Sequence, residues 1–105
     1  MSKFIKNETQ LVCIAKFTAK DGETEKLMEN LYSLIKLTHQ EGGCIRYELN
    51  QWLDNPKVIT FIEKWYDKST FDAHCNTDYI KGFFNNGKPE HVESYEVSLH
   101  KEILP

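Results

Sequence analysis

Two strand-like segments carry apolar side chains on both of their faces, and this feature limits the fold more than any other. Side chains alternate between the two faces of an extended strand. Leu11–Ala19 and residues 57–66 are both rich in strand-forming residues. In the first segment one face carries Val12 and Ile14, and the other carries Leu11, Cys13, Ala15 and Phe17. In the second segment one face carries Val58 and Ile62, and the other carries Ile59, Phe61 and Trp65. Each strand therefore needs an apolar cover on both sides of its sheet.

The remaining segments supply two helices and two further strands. Apolar side chains recur at helical spacing from Leu27 to Thr38, and Gly42-Gly43 ends this first helix. Residues 44–52 and 57–66 are strand-like runs around a turn at 53–56, which predicts a hairpin. A second helix follows from an N-cap at Ser69, with an interruption expected at 76–78. Residues 91–101 alternate as the last strand.

This order predicts an α+β fold of the ferredoxin-like βαββαβ type, with an antiparallel sheet and both helices on one face. Residues 11–101 form the single domain expected of 105 residues, with a lead-in at 1–10 and a tail at 102–105. The first and third strands would be central, in agreement with their two apolar faces. Because the helices cover only one face, we expect a second copy of the chain to cover the other, giving a homodimer.

Charge and motif content exclude several classes of function. The 13 basic and 16 acidic residues are scattered and give a net charge of −3, which argues against nucleic acid or membrane partners. The chain shows no leader-like or membrane-length apolar run, so we expect a cytoplasmic protein. The three cysteines and four histidines lack metal-ligand spacing, and no phosphate-binding glycine motif occurs. We therefore expect no metal and no nucleotide cofactor.

An aromatic-rich group with a few polar side chains is the best candidate for a site. It comprises Tyr47, Glu63, Trp65, His74, Tyr79, Phe83 and Phe84. For the aromatic residues a plain core is the favoured interpretation, whereas His74 is equally compatible with a structural role. Glu63 is either a half-buried base or the partner of Arg46 in a cross-strand ion pair. A hairpin that closes around Asp54-Asn55 sets Glu63 opposite Arg46, which favours the ion pair.

The chain resembles the antibiotic biosynthesis monooxygenase domain family from residue 11 to about residue 101. The resemblance rests on four stretches taken together: Lys20-Asp21-Gly22, Glu41-Gly42-Gly43-Cys44-Ile45-Arg46-Tyr47-Glu48, Glu63-Lys64-Trp65, and Phe71-Asp72-Ala73-His74 followed by Tyr79-Ile80-Lys81. The second is similar to the family's E-x-G-C-x-x-Y-E and the third to its E-x-W. Many members carry a further His before the aromatic position of Tyr79, where this chain has Asp78.

The resemblance implies a dimeric α/β barrel and a cofactor-independent monooxygenase of quinol- or anthrone-like aromatic substrates. In such an enzyme the deprotonated substrate reduces O₂ itself, and the protein supplies a dry cavity, orientation and proton transfer. His74 would move the proton, Trp65 and Phe84 would wall the cavity, and Tyr47 and Tyr79 would orient the ring. The alternatives are a non-catalytic small-molecule-binding or stress-related module on the same fold, and an isomerase of a small phosphorylated signal.

Overall fold

Within residues 2–105, which the computed structural model describes, four strands form one antiparallel sheet and the helices pack on one of its faces. The elements are β1 (Leu11–Ala19), α1 (Thr24–His39), β2 (Cys44–Gln51), β3 (Val58–Trp65), α2 (Lys68–Cys75), α3 (Asp78–Phe84), a short 3₁₀ turn (Asn85–Gly87) and β4 (Val92–His100). The strand order is β2-β3-β1-β4, so β1 and β3 are central. The ferredoxin-like α+β prediction is confirmed, and the second predicted helix is divided into α2 and α3.

The core lies between the helices and the odd-numbered side chains of β1. Leu27 and Leu31 of α1 are fully buried there, and Phe71 and Ile80 bring α2 and α3 onto the same face. Burial of a leucine side chain contributes about 1.5 to 3 kcal/mol, so the stripe on α1 is a main source of stability. On the opposite face the side chains of Val12, Ile14 and Ile62 are only partly buried.

Polar caps fix where the second and third helices begin. The predicted N-cap Ser69 is wrong: α2 begins after Asp67, whose carboxyl accepts a hydrogen bond from the Thr70 backbone N–H at 2.8 Å. The Thr70 hydroxyl in turn accepts from the Asp67 N–H, which completes a capping box. Thr77, within the expected interruption at 76–78, caps α3. These caps place His74 in the last turn of α2.

The hairpin register differs by one residue from the prediction. The loop spans residues 53–57, and the Trp52 N–H donates to the Val58 carbonyl. Because this loop is one residue longer than predicted, Glu63 lies opposite Tyr47, and Arg46 lies opposite Lys64. A one-residue slip moves every side chain to the other face. The predicted ion pair between Arg46 and Glu63 is therefore wrong: Arg46 pairs with Glu48 on the exposed face, and Glu63 faces the helices.

The lead-in and the tail pair with each other beyond the sheet. Ile5 and Ile103 form an antiparallel bridge, and the Lys6 N–H donates to the Glu102 carbonyl at 2.9 Å. The Leu104 N–H donates to the Phe4 carbonyl at 2.7 Å. The two ends thus form one short extension of the fold. None of the helices in the described part of the chain has the length and apolar content needed to cross a membrane.

Candidate functional site

A cavity of about 500 Å³ lies between the sheet and the helices α2 and α3. Its size is that of a small-molecule site, and most of its lining is apolar. The lining residues come from the helix-facing side of the sheet, from the three helices and from the turn after α3: Cys13, Ala15, Phe17, Leu34, Tyr47, Phe61, Glu63, Phe71, His74, Cys75, Ile80, Lys81, Phe83, Phe84, Asn86, Gly87 and Val97.

The imidazole of His74 is held in one orientation by a carboxyl group. Its Nδ1 lies 2.8 Å from Oε2 of Glu41, a residue of the loop after α1. The Tyr79 hydroxyl donates a hydrogen bond to the same oxygen. Burial, together with the bond to Glu41, raises the pKa of Tyr79 to about 12, so the phenol keeps its proton. With Nδ1–H donating to Glu41, Nε2 is the unprotonated nitrogen of His74. Nε2 has no hydrogen-bond partner within residues 2–105.

Aromatic rings enclose this imidazole. The Trp65 ring lies 4.5 Å from it and the Tyr47 ring 5.5 Å, both measured between centroids, and His74 is only 4% exposed. Burial lowers the pKa of His74, and the bond to Glu41 partly opposes this. The imidazole is therefore neutral near neutral pH, and Nε2 can accept a proton from a bound molecule.

A second titratable group, Glu63, lines the same cavity from β3. It is 4% exposed, and its Oε1 accepts a hydrogen bond from Trp65 Nε1 at 2.9 Å. Burial raises the pKa of Glu63 to about 7, against the lowering effect of the Trp65 and Cys13 hydrogen bonds. A substantial fraction of this carboxyl is therefore protonated near neutral pH.

The cavity thiols are unsuited to nucleophilic chemistry. Burial raises the pKa of Cys75 to about 11 and that of Cys13 still further. Because the thiolate is the nucleophile, both residues are inert at neutral pH. No cluster of three or more His, Cys, Asp or Glu side chains suited to a metal ion occurs among the described residues.

The other end of the cavity is an aromatic wall. The Phe17 ring lies 5.4 Å from Phe83 in an edge-to-face arrangement and 6.0 Å from Phe84. Tyr95 of β4 lies 5.3 Å from Phe84 and is 40% exposed. Aromatic pairs in these geometries are favourable, and they offer edges and faces to a flat ligand. The cavity thus has an apolar end and an end with the two titratable groups.

The structure brings together three of the five predicted site residues at the cavity wall: His74, Tyr47 and Phe84. Trp65 and Tyr79 were expected to contact a ligand, but they lie behind this wall. Trp65 is fully buried with its Nε1 on Glu63, and the Tyr79 hydroxyl is directed to Glu41. These two residues support His74 and Glu63.

Sequence reasoning missed Glu41 and misassigned Glu63. Glu41 is separated from His74 by 33 residues, and its contact depends on how α2 packs against the loop before β2. Its position at the start of the Glu41-to-Glu48 stretch was the available signal. Glu63 was assigned to an ion pair because the hairpin register was shifted by one residue.

The family model described as "Antibiotic biosynthesis monooxygenase" matches residues 10–86. The structure is similar to protein SO0527 from Shewanella oneidensis, with 45% identity and a TM-score of 0.90 over 94% of this chain and 96% of that one. It is also similar to PA3566 from Pseudomonas aeruginosa (27% identity, TM-score 0.82, 90% and 95% covered). A conserved protein from Methanosarcina mazei Go1 has 29% identity and a TM-score of 0.82, with 90% and 93% covered. No curated protein matches the chain with significance.

Proposed function

Because the chain belongs to the antibiotic biosynthesis monooxygenase family, we propose that it is a cofactor-independent monooxygenase of small electron-rich aromatic substrates, quinol-like or anthrone-like. The observation that carries this proposal is the oriented imidazole of His74 in the wall of an apolar cavity. A base that faces a dry aromatic cavity suits the removal of a proton from an aromatic carbon acid or phenol.

The proposed reaction begins with proton transfer from the substrate to His74 Nε2. For an anthrone-like substrate the carbanion then gives one electron to O₂, and the two radicals combine to form a C–O bond. Return of the proton gives a hydroperoxide. Loss of the second C–H proton with cleavage of the O–O bond leaves a carbonyl group and releases water. One CH₂ group and one O₂ thus give one C=O and one H₂O.

Each supporting residue has a defined task in this scheme. Glu41 keeps His74 in the tautomer with a free Nε2 and stabilises the imidazolium after proton transfer. Tyr47 stacks on Phe61 at 4.3 Å and forms a flat wall against which a substrate ring can lie. Phe84 closes the apolar end. Trp65 fixes both His74 and Glu63 from behind.

An isomerase of a phosphorylated signal is less well supported by the cavity. A phosphate group needs cationic or several N–H donors. Among the described residues that line the cavity, the cationic side chain is Lys81, which is exposed, and Glu63 would repel the anion when ionised. The aromatic lining favours a flat apolar ligand instead.

The oligomer is part of the proposal: we expect a homodimer formed through the sheet face that the helices leave uncovered. Val12, Ile14 and Ile62 lie on this face and remain partly exposed in one chain. A self-complementary apolar patch on a sheet is typical of a two-fold dimer interface. Such an interface would leave the cavity on the other side of each sheet accessible.

The proposed function is tested by oxygen uptake with a panel of dihydroquinones and anthrones. The structure provides a matched control, because His91 Nδ1 lies 2.7 Å from Glu23 in a second histidine–glutamate pair outside the cavity. We expect His74→Asn to lower turnover by about 10²-fold, the scale of losing a general base, and His91→Asn to leave it unchanged. If no substrate of the panel consumes oxygen, the non-catalytic binding module replaces this proposal.

A further inference from the structure

The carboxyl group of Glu63 is a buried polar group with an unused hydrogen-bonding position at the cavity. Oε1 accepts a hydrogen bond from Trp65 Nε1, and apart from a weak contact with the Cys13 thiol the carboxyl has no further hydrogen-bond partner within residues 2–105, so Oε2 can still bond to a ligand. The residue is 96% buried yet belongs to the cavity lining. Buried polar atoms are nearly always satisfied, so an open position next to a cavity indicates a ligand contact.

No cation among the described residues compensates a negative charge at Glu63. The titratable side chains that surround it come from β1, β2, the loop before β2 and α2: Cys13, Cys44, Tyr47, Glu41, His74 and Cys75. The thiols and the Tyr47 phenol keep their protons because burial raises their pKa values. Glu41 repels a charge at Glu63, and His74 is neutral. The surroundings therefore favour the protonated carboxyl, which is a hydrogen-bond donor.

We propose that Glu63 binds the substrate as a neutral carboxyl that donates a hydrogen bond from Oε2 to an oxygen atom on the aromatic ring system. The cavity then selects aryl ketones, enols and phenolates over rings of the same size without oxygen. This inference rests on the proposed function, since it concerns the same cavity and the same substrate class.

Glu63 and His74 are complementary in this arrangement. Both touch Trp65: the indole Nε1 bonds to Glu63, and the ring lies against His74. When His74 Nε2 removes a proton from the carbon acid, negative charge moves to the ketone oxygen. A preplaced neutral donor in a dry site stabilises that oxygen strongly. One side chain accepts the proton, and the other stabilises the charge that its removal creates.

A matched pair of ligands tests this assignment without any turnover. α-Tetralone is a bicyclic aryl ketone, and tetralin is the same ring system without the oxygen. Binding of both is measured by isothermal titration calorimetry under argon, between about pH 6 and about pH 8.5, which spans the pKa of Glu63. For the wild type we expect tetralone affinity to fall by about tenfold across this range, because the ionised carboxyl cannot donate. Tetralin affinity should not change.

Substitutions separate the donor from the shape of the cavity. Glu63→Gln retains an N–H donor that does not titrate, so tetralone should bind with the same affinity at every pH. Glu63→Leu should lose about tenfold in tetralone affinity at the lower pH and bind tetralin unchanged. Glu48→Gln, an exposed carboxyl on the other face, should behave as the wild type in all titrations. Circular dichroism checks that each variant is folded.

Several results would overturn the inference. They are a wild-type tetralone affinity that is independent of pH, a Glu63→Leu variant with unchanged preference for tetralone over tetralin, and no binding of tetralone at all. Oxygen uptake is measured separately on the same preparations. If the pH-dependent tetralone binding is observed but no aromatic substrate consumes oxygen, the monooxygenase proposal fails and the carboxyl donor remains.

Discussion

Replacing Glu63 by glutamine should remove a large pH-dependent part of the free energy of unfolding. Burial raises the pKa of this carboxyl from 4.5 to about 7. In the folded protein it therefore keeps a proton that the unfolded chain releases above pH 4.5. Its contribution to stability is fully present below the unfolded pKa, decreases as the pH rises, and is lost once the pH exceeds the folded pKa.

The size of this effect follows from the two pKa values. One pKa unit corresponds to about 1.36 kcal/mol, so the wild type should lose about 3 kcal/mol relative to Glu63→Gln between about pH 4.5 and about pH 8. That is a large fraction of the ~5 to 15 kcal/mol that stabilises a typical domain. Glutamine has nearly the same shape and cannot ionise, so the difference between the two proteins isolates the carboxyl.

Urea unfolding followed by circular dichroism measures the difference. Protein concentration is kept constant, because a dimer's stability depends on it. His74 acts in the opposite sense, since its lowered pKa costs stability as the pH falls below 6.5, but it is present in both proteins and cancels. Glu48→Gln is the control for replacing an exposed carboxyl. A wild-type-minus-variant difference that stays constant within ~0.5 kcal/mol over this range would refute the burial of an uncompensated carboxyl.

Three further predictions concern the site and the assembly. Glu41→Gln should lower kcat by about tenfold. Because Glu41 raises the pKa of His74, the substitution should also move the acidic limb of the pH profile of kcat/KM to lower pH. An unchanged acidic limb in a folded variant would contradict the positioning role of Glu41. Gly43→Ala should cost about 1 to 3 kcal/mol in urea unfolding, since the added Cβ would collide with the Thr70 side chain, whereas Gly42→Ala, which has open space, should cost less. Ile14→Asp should shift the protein to a monomer in sedimentation velocity, and a wild type that is already a stable monomer at micromolar concentration would contradict the dimer.

The sequence pattern was sufficient for the architecture because each element has its own periodic signal. The two apolar faces of β1 and β3 indicated that these strands are central, and the structure agrees. The register of the hairpin had no such signal. Asp54, Asn55 and Pro56 are all acceptable turn residues, and several loop lengths fit them. An error of one residue in the loop length placed Arg46 and Glu63 on the same face of the hairpin. The prediction therefore assigned Glu63 to a surface ion pair, whereas in the structure it lines the cavity.

The spacing of residues in the sequence also could not predict the chemical environment of the site, because that environment depends on contacts between distant segments. His74 could be selected by residue type, since imidazole is the side chain that titrates near neutral pH. Its usefulness as a base depends on which nitrogen is free, and the hydrogen bond from Nδ1 to Glu41 decides this. That contact forms where α2 packs against the loop before β2, close to Gly43, whose missing side chain leaves room for Thr70. Likewise, the proton on Glu63 depends on the absence of a cation from every element around it. The tautomer of His74 and the protonation state of Glu63 therefore depend on the packing of the folded chain. Substitutions at Glu41 and Glu63 change these two properties, so their effects should distinguish a catalytic site from a plain aromatic core.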